Sequence, residues 1–222
     1  MTVAQQERAI RTRKAILEAA AAIFDERGYE TATISDVLER AEVTKGALYF
    51  HFASKETLAR GVLEGAVTTE GVLRQDLKLQ ELVDVMLLMA FRLPREPMLS
   101  AAMRIAVDPG ARAVFGTRWP DWILLMADLV GQAKARGEVH QHIDEVGTGR
   151  LLVGAWTGVC VVTEGLPDEY DLTREIAALL QMVVAGIATP SALAKVDISE
   201  NRAADLFAAI PDRSGHSMES DR

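Results

Sequence analysis

The 222-residue sequence predicts an all-α fold, and three observations carry that prediction. Apolar residues recur at helical spacing along most of the chain, as they do between Ile16 and Phe24. No segment shows a convincing alternation of apolar and polar residues, and the chain contains neither an Asn-Gly nor an Asp-Gly hairpin turn. Residues that stop and start helices, such as Gly28 and Thr33, separate the periodic segments, which indicates a succession of helices.

The N-terminal part of the chain predicts three short helices. The first covers about residues 7–27 and ends at Gly28, which suits the position after a helix C-terminus. Thr33 caps the second helix, with Asp36 in the capping-box position. Thr44 caps the third helix, after a tight turn. Two short helices joined by such a turn are typical of helix-turn-helix organisation.

A fourth helix at about residues 55–69, capped by Ser54, is expected to connect these helices to the body of the protein. Further helices are predicted at residues 76–93, 97–107, 118–136, 145–164 and 171–187, with a loop at 108–110. The predicted organisation is a helix-turn-helix domain at 1–53, a larger helical domain at 70–212 and a disordered tail at 213–222.

The charge of the chain is distributed unevenly. The net charge is −8, which argues against a protein that coats nucleic acid indiscriminately. Residues 1–65 carry nine Lys and Arg against ten Asp and Glu, so the first part has −1 and the remainder −7. The first 14 residues are locally basic, with Arg8 and Arg11 among four cations against Glu7 alone. This asymmetry favours a small anion-contacting module on an acidic body.

The segment VTKGALYFHF, residues 43–52, predicts a surface that faces DNA. If Leu48 points inward, Thr44, Lys45, Gly46 and Tyr49 point outward near the helix N-terminus. Lysine can bond a guanine edge or a phosphate, glycine lets the helix approach the groove floor, and tyrosine can contact a phosphate or a thymine methyl group. The remaining predicted DNA contacts are Arg8, Arg11, Thr33, His51 and Lys55.

Several alternatives to DNA contact stay open. The three N-terminal helices could form a small bundle that binds no nucleic acid. His51 could be a phosphate donor or an ordinary surface histidine. For Phe50 and Phe52 the preferred interpretation is core packing, which would hold the third helix at its angle.

Two late helices predict a homodimer. The helix at 145–164 is apolar almost all round and contains Gly154 and Gly158, whose spacing permits close helix approach. The helix at 171–187 carries a clean apolar stripe. Two such helices in each of two chains can form a four-helix interface, whereas the alternative leaves one face partly exposed. The longest apolar run, 151–162, is shorter than the roughly 17–25 residues of a membrane span and predicts a buried helix.

Residues 8–65, with the motifs ILEAAAAIFDERGYE, VTKGALYFHF and SKE, closely resemble the DNA-binding domain of TetR-family transcriptional regulators. Within that family the basic lead QQERAIRTRK and the later segments WPDWILLMADLVGQAKARGEV and LLVGAWTGVCVVTE look most like γ-butyrolactone receptors. The resemblance implies a dimeric repressor of a palindromic operator that a small apolar, lactone-like molecule releases. It also implies that Trp122 matches the receptors' pocket tryptophan, although Trp119 could take its place.

The middle of the chain fits such a small-molecule site. Methionine adapts to irregular pockets and tryptophan offers a flat apolar wall, but a methionine stripe can equally be plain core. The predicted ligand contacts are Trp122, Trp119, Met86, Met89, Met126, Trp156, Cys160 and Thr163.

Other functions have less support from the sequence. It contains no phosphate-binding glycine loop, no Gly-x-Ser-x-Gly elbow and no cluster of metal ligands, so neither an enzyme nor a cofactor or metal is expected. His140 and His142 could bind a metal, but they fit a solvated loop better. The single cysteine fits a reducing cytoplasm. The alternatives that stay open are a pseudo-receptor that senses an antibiotic or butenolide, and a helical ligand-binding module that does not bind DNA.

Overall fold

The computed structural model describes residues 3–66, 72, 74–166, 170–199 and 201–210. Its helices, in chain order, are α1 Val3–Thr31, α2 Ile34–Ala41, α3 Lys45–His51, α4 Lys55–Gly65, α5 Lys78–Arg92, α6 Pro97–Val107, α7 Pro109–Phe115, α8 Trp119–Ala135, α9 Glu145–Gly165, α10 Leu172–Ile187, α11 Pro190–Leu193 and α12 Arg202–Ala208. The described residues contain no β-strand, only an isolated bridge between Val139 and Ala188. The all-α prediction is confirmed.

The chain divides into two compact units. The first unit comprises Met1–Thr68 and Arg92–Leu125, and the second comprises Thr69–Phe91 and Met126–Arg222. The predicted functional limits of 1–53 and 70–212 stay a prediction. The tail predicted at 213–222 lies outside the described residues, as does the end of the fourth helix predicted to reach residue 69.

In the first unit, α1 packs against α2, α3, α4 and α6. Its core contains Ile16, Phe24, Leu48 and Phe52, all nearly or fully buried. Helix α1 is interrupted at Gly28, whose φ of 75° belongs to the left-handed region that favours glycine. Two ion pairs join α1 to α2, because Arg27 contacts Asp36 at 2.8 Å and Arg40 contacts Glu26 at 2.5 Å.

In the second unit, α9 packs against α10, and buried polar groups organise the start of α5. The Glu138 carboxylate accepts a hydrogen bond from the backbone N–H of Leu79 at 2.8 Å. This bond satisfies one of the amides that the first turn of a helix leaves unpaired. The same loop is fixed by the backbone N–H of Thr189, which donates to the Glu138 carbonyl at 2.9 Å.

Three helix predictions need correction. The loop expected at 108–110 is the start of α7, because Asp108 caps that helix by accepting from the backbone N–H of Ala111 at 2.6 Å. Helices α11 and α12 were not predicted. The apolar run 151–162 is not a buried helix, because only some of its residues are buried and several apolar side chains on it are exposed.

Candidate nucleic-acid interface and ligand residues

Local capping sets the start of α3. The Thr44 hydroxyl accepts a hydrogen bond from the backbone N–H of Ala47 at 3.2 Å, as the sequence predicts for an N-cap residue. Glu42 adopts the left-handed conformation at φ 51° and ends α2, which produces the tight turn between the helices. Leu48 and Phe52 are buried and hold the inner face of α3 against the unit. The predicted role of Phe52 as a core residue is confirmed.

The opposite side of α3 is a solvent-exposed surface. We call it the recognition surface, and it consists of Thr44, Lys45, Gly46, Tyr49 and Phe50. The Lys45 ammonium lies 6.0 Å from the centre of the Tyr49 ring, so the cation and the phenol occupy one patch. The outward direction expected for the first four of these residues is what the structure shows.

Phe50 is the residue that the sequence interpretation placed wrongly. It was expected to pack in the core, but 77% of it is exposed, whereas Phe52 is 2% exposed. Helical spacing contained the necessary signal, because Phe50 is two positions from Leu48 and therefore lies about 200° around the helix from that buried residue. The exposed phenyl ring adds an apolar group beside Lys45 and Tyr49 on the outer side of α3.

Gly46 has no role in the packing of its own chain. A Cβ atom built at this position meets no other heavy atom within 4 Å, and the backbone φ is not in the positive range. Glycine costs up to about 1 kcal/mol relative to alanine within a helix, and Gly46 is the second residue of α3, where the cost is smaller. Because nothing in the fold offsets this cost, the missing side chain fits close approach by a partner.

The other predicted DNA contacts around α3 already have partners within the protein. Thr33 and Asp36 form the predicted capping box, in which the hydrogen bonds from Thr33 hold the pKa of Asp36 below its usual value. The Lys55 ammonium donates to the Glu30 carbonyl at 3.1 Å and lies 4.4 Å from the centre of the Tyr29 ring. Burial lowers the pKa of Lys55. The ring of half-buried His51 is 5.0 Å from that of Phe50.

The basic N-terminal segment presents four exposed cations, Arg8, Arg11, Arg13 and Lys14, on the first turns of α1. Arg13 also lies over the Phe52 ring at 5.0 Å, and Lys14 pairs with Glu18 at 3.6 Å. Arg8 and Arg11, the two residues predicted to contact DNA, therefore face solvent.

Six of the eight predicted ligand residues belong to the second unit. Met86 and Met89 on α5, Met126 on α8 and Cys160 on α9 are buried. Trp156 on α9 donates from Nε1 to the Met86 carbonyl at 3.3 Å, which places α5 directly beside α9. Burial raises the pKa of the Cys160 thiol to about 12, so this side chain is neutral and contributes an apolar surface.

Thr163 is also buried in the second unit. Its hydroxyl donates to the Val159 carbonyl at 2.9 Å and lies 3.1 Å from the Cys160 carbonyl. A hydroxyl has one proton, so Thr163 can donate to a ligand only by giving up this backbone bond.

Trp119 and Trp122 belong to the first unit and are half-buried at the start of α8. The guanidinium of Arg112 lies over the Trp119 ring at 5.5 Å. The Trp122 backbone N–H donates to the Arg118 carbonyl at 3.2 Å. The roles of both tryptophans in ligand binding stay a prediction.

Helices α9 and α10 expose an apolar stripe in the single chain. We call the set Leu151, Gly154, Gly158, Val162 and Met182 the apolar stripe; Leu151 is 60% exposed and Met182 is 71% exposed. Cβ atoms built at the two glycines meet nothing within 4 Å. By length and composition Glu145–Gly165 could also cross a membrane, and 22% of its most apolar window is buried inside the protein.

Comparison with known proteins identifies the first unit's N-terminal helices. The family described as bacterial regulatory proteins, tetR family, matches residues 16–62, which run from the core of α1 through the recognition surface to α4. The A-factor receptor protein of Streptomyces griseus is 37% identical over 194 residues, which cover 87% of this chain and 70% of that protein. The chain belongs to the tetR family.

Two solved structures of tetR-family proteins extend the likeness over the second unit. TylP, a tetR regulator from Streptomyces fradiae, has a TM-score of 0.82 and 37% identity, with coverage of 90% of this chain and 98% of TylP. A γ-butyrolactone receptor described as ArpA-like has a TM-score of 0.69 and 32% identity, with coverage of 90% and 98%. The resemblance to TetR-family regulators and to their γ-butyrolactone receptors is confirmed.

Proposed function

We propose that this tetR-family protein is a homodimeric transcriptional repressor that binds a palindromic operator and is released by a γ-butyrolactone-like effector. The observation that carries the proposal is the recognition surface, where Lys45, Tyr49 and Phe50 project from a helix whose glycine has no packing role. Cations, phenols and phenyl rings are suited to phosphates, base edges and thymine methyl groups. A regulator of this kind acts in the cytoplasm, on the nucleoid.

The apolar stripe supports the dimer. A stripe that combines exposed leucine, valine and methionine with two open glycines permits another helix to approach closely. We infer that a second copy of the chain covers it through α9 and α10, which gives a two-fold four-helix interface. Two recognition helices would then enter successive major grooves about 34 Å apart. This occupant explains the apolar composition of α9 without a membrane.

The effector would bind beside α5 and α9 in the second unit. Met86, Met89, Trp156 and Cys160 supply an apolar and adaptable lining there. The effector must bind the DNA-incompetent state more tightly than the DNA-binding state, since a ligand with equal affinity for both shifts nothing. The names of the A-factor and γ-butyrolactone receptors support a lactone as the effector class.

Phe50→Ala is expected to weaken operator binding about tenfold without lowering the melting temperature. The exposed ring contributes little to the fold, and its loss removes the proposed apolar contact with a thymine methyl group, for which a tenfold change corresponds to about 1.4 kcal/mol. A gel-shift titration against the protein's own promoter region measures the effect. Val114→Ala, which shortens an exposed side chain outside α3, is the control and should bind as wild type. Wild-type affinity in Phe50→Ala would remove Phe50 from the interface.

Trp122→Ala tests the tryptophan that matches the receptors' pocket residue and that belongs to the first unit, whereas six other predicted ligand residues belong to the second. If Trp122 forms a flat apolar wall for the ligand, the variant should bind the operator normally but fail to be released by a 2-acyl-γ-butyrolactone. Leu124→Ala changes an exposed neighbour on the same helix and should keep the wild-type response. Release of Trp122→Ala at the wild-type lactone concentration would exclude Trp122 from ligand binding.

Two alternatives are decided by the same assays. A pseudo-receptor would bind the operator but respond to an antibiotic or a butenolide and not to the lactone. A ligand-binding module without DNA affinity would show no shift of any promoter fragment. The recognition surface favours the repressor over the second alternative, because a cation, a phenol and a phenyl ring are exposed together on one helix beside a glycine whose side-chain position is open.

A further inference from the structure

Helix α5 contains a carboxylate that is entirely buried. Asp84 is 0% exposed and accepts hydrogen bonds from four donors. Arg202 donates from Nε and Nη2, each at 2.7 Å, in a bidentate ion pair. The side-chain amides of Gln80 and Gln75 donate at 2.7 and 3.0 Å. The pairing is complete, which is what a buried charge requires.

Arg202 is the first residue of α12, so the ion pair attaches the end of the described chain to α5. Asp197 adds a second attachment, because its backbone N–H donates to Gln80 Oε1 at 2.7 Å and its carbonyl accepts from Gln80 Nε2 at 3.0 Å. The Phe207 ring lies 5.3 Å from the Phe91 ring. We call Asp197 and α12 the latch. The latch buries few apolar side chains, chiefly Ala203 and Leu206.

The other side of α5 belongs to the proposed effector region. Asp84 and Met86 are two positions apart, so their side chains leave the helix about 200° from each other. The Met86 carbonyl accepts the Trp156 indole N–H from α9 at 3.3 Å. The latch therefore holds α5 from the side opposite to that on which α5 meets the predicted ligand residues.

We propose that the latch controls access of the effector to the space between α5 and α9, with Arg202 as a positioning residue that acts through Asp84. The inference rests on the proposed function for the nature of the effector. A buried ion pair stabilises no more than apolar residues of similar shape, since both charges lose their hydration. Opening the latch restores that hydration, so an ionic latch opens more readily than an apolar one.

The chain's single cysteine reports this opening without any effector. Cys160 is buried on α9, one turn beyond Trp156, so its reaction with 5,5′-dithiobis(2-nitrobenzoate) requires an opening of the packing around α9, which opening of the latch should promote. Asp84→Asn removes the carboxylate and leaves the Arg202 guanidinium with only the Asp197 carboxylate at 3.4 Å, so the latch should open more often and labelling should accelerate about tenfold, as expected for the loss of charge-assisted hydrogen bonds. The double variant Asp84→Leu with Arg202→Met makes the latch apolar and should slow labelling below the wild-type rate.

Controls separate the latch from general destabilisation. Asp205→Asn makes the same chemical change on an exposed position of α12 and should label as wild type. When a 2-acyl-γ-butyrolactone is added, the rate at which the tryptophan fluorescence of each protein changes should rank the variants in the same order as their labelling rates. Equal labelling in all variants, or a change in the same direction for both latch variants, overturns the proposal.

Failure of the latch is distinguishable from failure of the proposed function. If Asp84→Asn does not fold, the double variant alone tests the latch. Labelling of the double variant at or above the wild-type rate would then overturn the latch. Absence of operator binding by the wild-type protein would overturn the proposed repressor while the cysteine labelling still tests the latch. Unchanged labelling with intact operator binding would overturn the latch alone.

Discussion

Gly158→Arg is expected to convert the dimer into a folded monomer and to reduce operator affinity more than roughly 100-fold, since one recognition helix then no longer raises the effective concentration of the other. A side chain at this position meets nothing within the single chain, so the fold tolerates it. An arginine in the apolar stripe would place an unpaired charge in the interface of the proposed dimer, where burial without a partner is strongly unfavourable.

Size-exclusion chromatography with light scattering measures the first effect, and the gel shift measures the second. The variant should elute with the mass of one chain, 24.2 kDa, and the wild type with twice that mass. The melting temperatures of the monomeric variant and the dimeric wild type are not comparable, because dimerisation itself stabilises the fold. Circular dichroism therefore serves only to show that the variant retains its helix content. Ala135→Arg introduces the same charge at an exposed position of α8 and should remain dimeric. A dimeric Gly158→Arg with intact operator affinity would place the interface elsewhere.

The sequence predicted best those features that neighbouring residues determine. The caps at Thr33, Thr44 and Ser54 all form as expected, and each is a hydrogen bond between residues three positions apart. The bounds of α6 agree with the prediction of 97–107, because Pro97 begins it and Asp108 ends it. Such contacts depend on local backbone geometry alone, and the sequence contains all of the groups involved.

Contacts between residues that are far apart in the chain could not be predicted from the sequence. Asp84 and Arg202 are 118 positions apart, and nothing in the helical periodicity of α5 identifies the distant residue that pairs with this buried carboxylate. The predicted ligand residues were treated as one set, yet the structure groups Trp119 and Trp122 with the first unit and the other six with the second. Spacing identifies the face of a helix, but the partner of that face depends on the tertiary fold.

Phe50 represents an intermediate case. Aromatic residues are usually buried, and that general preference was given more weight than the helical position of this residue. Its spacing from Leu48 placed it on the outer face of α3, and the structure agrees with the spacing. A seven-residue helix has one inner face, which Leu48 occupies, and the other core aromatic, Phe52, follows the helix in extended conformation.

Gly46→Ala is expected to change stability and function in opposite directions. Alanine favours the helix by up to about 1 kcal/mol, which corresponds to a rise in melting temperature of roughly 2–4 °C for a protein of this size. Its methyl group meets no atom of the chain within 4 Å, so no packing cost offsets the gain. In the complex the same methyl group would hold α3 away from the groove floor, and a loss of about 1.4 kcal/mol is a tenfold loss of operator affinity.

Thermal unfolding and the gel shift, carried out on the same preparation, distinguish this outcome from a simple folding defect. Gly131→Ala is the matched control, because a Cβ there makes only an ordinary 3.8 Å contact with Glu145 on a helix away from the recognition surface. It should raise the melting temperature and leave operator affinity unchanged. If Gly46→Ala binds the operator as tightly as wild type, close backbone approach at this position is not part of recognition, and the glycine has no explanation in either the fold or the complex.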